Sequence, residues 1–150
     1  MASTLTNVLV HFVFSTKDRT PAIAEELREE LYSYIGGILR NERCRLLAIG
    51  GIPDHIHLLV RLHPDVAVSE AVRKIKANSS RWMNQKGNGR RRFAWQTGYG
   101  AFSVSESQVK VVERYIASQE EHHRKRSFQE EYLELLQKHG LDFDERYVLG

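Results

Sequence analysis

The sequence predicts an α+β domain of ferredoxin-like (RRM-like) plan: a four-stranded antiparallel sheet, helices packed on one face, and a late helix completing a site on the other. Two observations predict it. Short blocks of β-forming apolar residues alternate with stretches of three- and four-residue apolar spacing, in the order β-α-β-β-α-β-α-α. At 150 residues and 41% hydrophobic content, the chain can also bury one respectable core, so one domain over 1–150 is expected, with a C-terminal helical extension at about 124–150.

The first strand covers residues 7–14 and ends in a polar stretch, Ser15-Thr16-Lys17-Asp18-Arg19. Pro21 is expected to open the first helix, whose apolar stripe is Ile23, Leu27, Leu31, Ile35, Ile38 and Leu39. Residues 44–49 and 55–62 form a hairpin around Gly50-Gly51-Ile52-Pro53-Asp54. A second helix follows over 68–83, with Val68, Ala71, Val72, Ile75 and Trp82 inward and its cations largely outward. The fourth strand runs near 99–104. Ser105-Glu106-Ser107-Gln108 then fits a capping box, opening a helix through Tyr115 to about His123. A last amphipathic helix over 128–138 stops at Gly140.

Composition excludes several classes. No stretch approaches the roughly 18–20 consecutive apolar residues of a membrane span, and the N-terminus lacks a signal-peptide pattern, so a cytoplasmic protein without membrane contact is expected. The single cysteine, Cys44, can form neither an internal disulfide nor a thiolate cluster, and its apolar surroundings favour a buried, inert thiol. The net charge of +3 hides an asymmetry. Residues 71–105 carry Arg73, Lys74, Lys76, Arg81, Lys86, Arg90, Arg91 and Arg92 with no acid, leaving the remainder at −5. Interleaved with Trp82, Phe93, Trp95 and Tyr99, that segment reads as a nucleic-acid surface.

The chemistry-bearing motif is His55-Ile56-His57, inside the third strand. Strand residues two apart share a face, so Ile56, Leu58, Val60 and Leu62 point into a core while His55 and His57 leave from the other side. Two imidazoles on a rigid strand make half of a metal site. Downstream, Tyr115 and Gln119 are four apart on one helix, with His122 and His123 a turn further. His11, on the polar side of the first strand, reads as structural.

These residues carry a resemblance. His55-Ile56-His57 with its apolar flanks, Tyr115-x-x-x-Gln119, Trp95-Gln96-x-Gly98-Tyr99 between them, and Phe12-x-Phe14-Ser15-Thr16-Lys17 at the front resemble the HUH single-tyrosine transposases of small bacterial insertion sequences. The resemblance implies that His55, His57 and Gln119 hold a divalent metal, magnesium or manganese, and that Tyr115 is the nucleophile. It further implies single-stranded DNA with hairpin ends as substrate, a 5′-phosphotyrosine intermediate, and a homodimer whose subunits share active sites. Chemistry agrees: a hard ion on two imidazoles and an amide oxygen keeps positions open for phosphate oxygens, and a phenol with a pKa of about 10 needs a nearby cation or base.

Some features leave alternatives open. No glycine lies between Ala101 and Tyr115 to hinge a moving tyrosine helix, and His122 or His123 can replace or supplement Gln119 as a ligand. A non-catalytic single-strand-binding module would use the same basic flank, but with aromatics on the central strands where this chain offers His55 and His57. A host-retained HUH nickase acting on chromosomal repeats would use the same site.

Overall fold

The computed structural model describes residues 3–87, 92–144, 146 and 148. Its elements are β1 (Val8–Ser15), α1 (Glu25–Asn41), β2 (Arg45–Ile52), β3 (His55–Leu62), α2 (Val68–Lys86), β4 (Gly100–Val104), α3 (Val109–Ala117), α4 (Gln119–His122) and α5 (Phe128–Lys138). The strands form one antiparallel sheet in the order β2-β3-β1-β4, the ferredoxin-like arrangement. The histidine strand β3 is therefore central, with β1 and β2 on either side.

One sheet face carries the main core. Val10, Phe12 and Phe14 of β1 and Ile56, Leu58, Val60 and Leu62 of β3 meet Leu31, Ile35 and Leu39 of α1 and Ala71, Val72 and Ile75 of α2. Alternation thus places the β3 apolar residues as predicted, and Cys44 is buried in the same core. Trp95 joins it, with Phe14 and Phe93 edge-on at 4.9 and 4.8 Å and its indole N–H donating to Ser79 Oγ at 2.9 Å. Trp95 is thus a packing residue.

The opposite face, expected to carry the tyrosine helix, is also covered by the last helix. Val13 and Phe102 pack with Phe128, Tyr132 and Leu136 of α5, forming a second, smaller core. The reason lies in α5 itself, whose apolar stripe must be covered and finds the remaining sheet face.

Element boundaries differ where local chemistry overrides pattern. α1 begins at Glu25, not at Pro21, because the preceding segment is held extended: Ile23 N–H donates to Pro53 O at 3.0 Å and its side chain enters the core. Ser105 caps nothing; Glu106–Gln108 is a 3-10 turn and the Ser105 and Ser107 hydroxyls pair at 3.1 Å. The capping box sits instead at the start of α5, between Ser127 and Glu130. The tyrosine helix breaks at Ser118, whose hydroxyl bonds back to Arg114 O at 2.9 Å and Tyr115 O at 3.2 Å, competing with the helical ladder.

Candidate active site

The hairpin that presents the histidines is anchored from two directions. Thr16 N–H donates to Asp54 O at 2.9 Å in the β2–β3 turn, and Ser15 N–H donates to Gln96 Oε1 at 2.5 Å while Gln96 N–H returns to Ser15 O at 2.9 Å. The Ser15-Thr16 and Trp95-Gln96 motifs therefore lock to each other and hold the turn from which His55 starts. Lys76 reinforces this loop. Its ammonium donates to Gln96 O at 2.8 Å and Gly98 O at 2.7 Å, so it is turned inward, not outward as expected, and partial burial lowers its pKa to about 8.

His55 and His57 leave β3 on the α5 side and are fully buried. Each imidazole is oriented through its Nδ1. His55 Nδ1 lies 2.7 Å from Asp54 Oδ1, and His57 Nδ1 lies 2.9 Å from His11 Nε2. Burial, with His57 adding to it, pushes His11 down to about 3, so this ring is neutral and its Nε2 can donate to or accept from His57. Burial also lowers His57. For His55, burial opposes the charge, but its hydrogen bonds to the Asp54 and Glu131 carboxylates outweigh it and raise the ring to about 9. His11 thus belongs to the site after all, supporting His57 from the next strand.

α3 and α4 bring the remaining predicted residues to this pair. Gln119 Oε1 lies 3.1 Å from His55 Nε2, and Gln119 is buried. The half-buried Tyr115 ring stands 5.7 Å from the His57 ring, centroid to centroid. His123 Nε2 lies 3.1 Å from Gln119 Oε1, whereas the His122 ring lies tilted against the Tyr115 ring at 4.9 Å. All these groups come together within one chain.

Gly50 explains why α3 can lie so close. It pairs with His57 across the sheet, and a Cβ there would fall on the carbonyl oxygen of Ile116, in the turn that carries Tyr115. Absence of a side chain lets the helix backbone rest directly on the sheet.

The residue that sequence reasoning missed is Glu131 of α5. It is 1% exposed. Its Oε1 is 2.9 Å from His57 Nε2, 3.2 Å from His123 Nε2 and 3.5 Å from His55 Nε2. Its Oε2 accepts from the Tyr115 hydroxyl and, at 3.2 Å, from Gln119 Nε2. Burial disfavours the carboxylate, but the three histidines overcome this and hold its pKa far below the usual range. Burial and then the Glu131 carboxylate push the Tyr115 phenol well above its ordinary value. His55, His57 and Glu131 form a buried group whose candidate ligand atoms lie within 4.8 Å of one another. One signal existed: Glu131 falls between Phe128 and Tyr132, on the apolar face of its helix.

Tyr115 is reached through a cleft of about 360 Å³ between β4, α3 and α5, with His11, Phe102, Val112 and Glu131 among its walls. At the rim, Arg126 and Lys138 both pair with Glu134, the latter at 3.0 Å.

The basic segment lies elsewhere. α2 packs on the sheet face opposite the histidines. Arg73 pairs with Glu70 at 2.8 Å, Lys74 with Glu42 at 3.5 Å and Lys86 with Glu30 at 3.6 Å, while Arg81 and Arg92 are exposed. Arg90 and Arg91 lie outside the described residues. No helix among those described is long and apolar enough to cross a membrane.

A ferredoxin-like sheet that buries paired histidines against a tyrosine and a glutamine on following helices is the arrangement expected of a tyrosine transposase. Residues 4–119 match the family described as transposase IS200 like, and the chain belongs to that family. It is 26% identical over 119 residues to the ISDra2 transposase TnpA of Deinococcus radiodurans, covering 73% of this chain and 81% of that protein. Over 124 residues it is 29% identical to the transposase for insertion sequence element IS200 of Salmonella typhimurium, covering 79% and 81%. Two solved structures share the fold. A transposase crystal structure from Deinococcus radiodurans R1 superposes with a TM-score of 0.63 at 23% identity, over 79% of this chain and 95% of that one. The REP-associated tyrosine transposase bound to a REP hairpin gives 0.59 at 17% identity, over 79% and 69%. Family membership makes DNA transposition the activity of this chain.

Proposed function

We propose that this chain cleaves and rejoins single-stranded DNA at insertion-sequence ends through a covalent tyrosine intermediate. The observation that carries the reading is the convergence of His55, His57, Gln119 and Tyr115 in one buried cluster of an IS200-like transposase. Tyr115 Oη attacks the scissile phosphorus. The phosphorus–Oη bond forms as the bond to the 3′ oxygen breaks, the phenol loses its proton, and the 3′ oxygen gains one. The products are a 5′-phosphotyrosine and a free 3′-hydroxyl. Because the ester linkage is conserved, a 3′-hydroxyl can reverse the step without an external energy source.

The donor set suits a divalent metal. Two imidazole nitrogens and the Gln119 amide oxygen converge, and each imidazole is oriented by a partner on its other nitrogen, as metal-ligating histidines ordinarily are. His55, His57 and Gln119 would hold a magnesium or manganese ion, which would supply positive charge to the scissile phosphate. The chain's own residues do the positioning. Asp54 and His11 fix the imidazoles, Gly50 seats the tyrosine helix, and the cleft beside Tyr115 admits the strand to the hydroxyl.

Arg73, Lys74, Arg81, Lys86 and Arg92, together with Arg90 and Arg91 of the same basic run, hold the phosphates of a hairpin end in this reading, an electrostatic task that positions DNA without reading bases. Lys76, committed to loop carbonyls, is left out of that set. The enzyme works in the cytoplasm. Where two copies pair as a homodimer, the single-chain geometry favours two complete sites over shared ones.

The test is incubation with Mg²⁺ or Mn²⁺ and single strands tiling the DNA on both sides of the coding sequence, resolved on a denaturing gel. A shifted band that disappears with chelator and in Tyr115→Phe and His57→Ala supports the reading. Metal-independent binding with no covalent band on any strand would return the chain to the binding-module alternative.

A further inference from the structure

The family match ends at Gln119, yet the side chain on which the cluster converges comes from α5, beyond that boundary. Withdrawing a carboxylate from water is strongly unfavourable unless its partners compensate, so packing alone does not place one on the apolar face of a helix. Here both oxygens are engaged, and on different tasks. Oε1 faces the ring nitrogens of His57, His123 and His55, while Oε2 accepts from the Tyr115 hydroxyl and from Gln119 Nε2. The backbone that carries it is fixed at the N-terminus by the Ser127–Glu130 capping box, by Phe128 against the His55 ring at 4.5 Å, and by Tyr132 packed over Gly100, where a Cβ would collide with its ring. Such support from a rigid element is what a functional constellation needs.

We propose that Glu131 belongs to the cleavage machinery as the link between metal and nucleophile. Its Oε1 is a further hard oxygen donor to an ion held by His55 and His57, and its Oε2 positions the Tyr115 hydroxyl beside that ion. The assignment rests on the tyrosine strand-transfer reading given above. It makes α5 an active-site element, with the nucleophile one carboxylate away from the metal-binding nitrogens. A carboxylate is also the better partner for Mg²⁺ or Mn²⁺ than an amide, since hard ions prefer charged oxygen ligands.

The experiment uses the full chain with Glu131→Gln and Glu131→Asp. Mn²⁺ affinity is measured by calorimetry without DNA, folding by thermal melting without metal, and the chemical step by single-turnover adduct formation at saturating metal and DNA. Glu131→Gln is expected to weaken Mn²⁺ binding by about 10–100-fold. It is also expected to slow adduct formation by roughly 100-fold, with little change in DNA affinity, as a misplaced nucleophile should. Glu131→Asp retains the charge but is one methylene too short to serve both tasks. A persistent rate loss in it supports the proposal even if Glu131→Gln folds poorly. A wild-type rate and Mn²⁺ affinity in Glu131→Asp would reduce Glu131 to charge balance among histidines and overturn the proposal. Were the wild type to form no adduct on any strand, the strand-transfer reading would fall, while the DNA-free Mn²⁺ titrations would still decide whether Glu131 stands at the metal.

Discussion

Replacing Gly50 by alanine perturbs the seat of the tyrosine helix while touching no polar group of the site. Gly50 and His57 are cross-strand partners, and a Cβ built at Gly50 comes within 3.0 Å of the Ile116 carbonyl oxygen, a contact real Cβ atoms essentially never make. The obstacle is backbone, so no rotamer change relieves it, and α3 must lift from the sheet by about 1 Å. Overpacking of this kind costs about 1–3 kcal/mol. For a chain of this size each kcal/mol lowers the melting temperature by about 2–4 °C, so a fall of roughly 2–12 °C is expected. Misplacing a reacting group by about 1 Å costs on the order of 100-fold in rate, so adduct formation should fall by more than the stability loss explains at 25 °C. Thermal melting and single-turnover adduct formation on the same samples check both numbers. A Gly50→Ala protein with wild-type melting and wild-type rate would refute the claim that backbone contact with β2 sets the position of Tyr115.

Three further outcomes follow from the same geometry. His11→Leu keeps the volume of the ring but removes the partner of His57 Nδ1, and Mn²⁺ affinity by calorimetry should drop about 10–100-fold; a change under threefold would return His11 to a packing role. Lys76→Met keeps the aliphatic stem and removes the ammonium from the Gln96 and Gly98 carbonyls, which should cost about 1–3 kcal/mol in denaturant unfolding, against no loss if Lys76 serves DNA alone. Mixing Tyr115→Phe with His57→Ala protein should restore no covalent adduct, because nucleophile and ligands meet within one chain; recovery of adduct in the mixture would show that subunits share their sites.

Much of the site was legible in the primary structure because strand parity is a strong constraint. The apolar residues 56, 58, 60 and 62 demand one face, so His55 and His57 had to take the other, and the strand occupies the expected residues. Tyr115 and Gln119 were reached through resemblance, and the structure keeps them together even though the helix breaks between them at Ser118, where no proline or glycine marks the interruption. His11 was misread because its relation to His57 depends on the β1–β3 register, a non-local pairing that no local pattern encodes. Glu131 was missed for a different reason. A glutamate in an amphipathic helix ordinarily faces water, and only its place between Phe128 and Tyr132 signalled otherwise. The same stripe on α5 implied that the second sheet face would be covered, since Phe128, Tyr132 and Leu136 had no other surface to meet. The part of the basic run from Arg73 to Lys86 lies on α2, across the sheet from Tyr115, a placement that follows from the crossover topology and not from composition.

The measurement closest to the central claim is the site of covalent attachment. Wild-type protein reacted with Mn²⁺ and a cleavable single strand is digested with protease and nuclease, and the modified peptide is sequenced by mass spectrometry. A nucleotide 5′-phosphate is expected on Tyr115, absent from Tyr115→Phe and from samples with chelator. A nucleotide found on another residue, or strand cleavage that proceeds with no nucleotide attached to the protein, would contradict it.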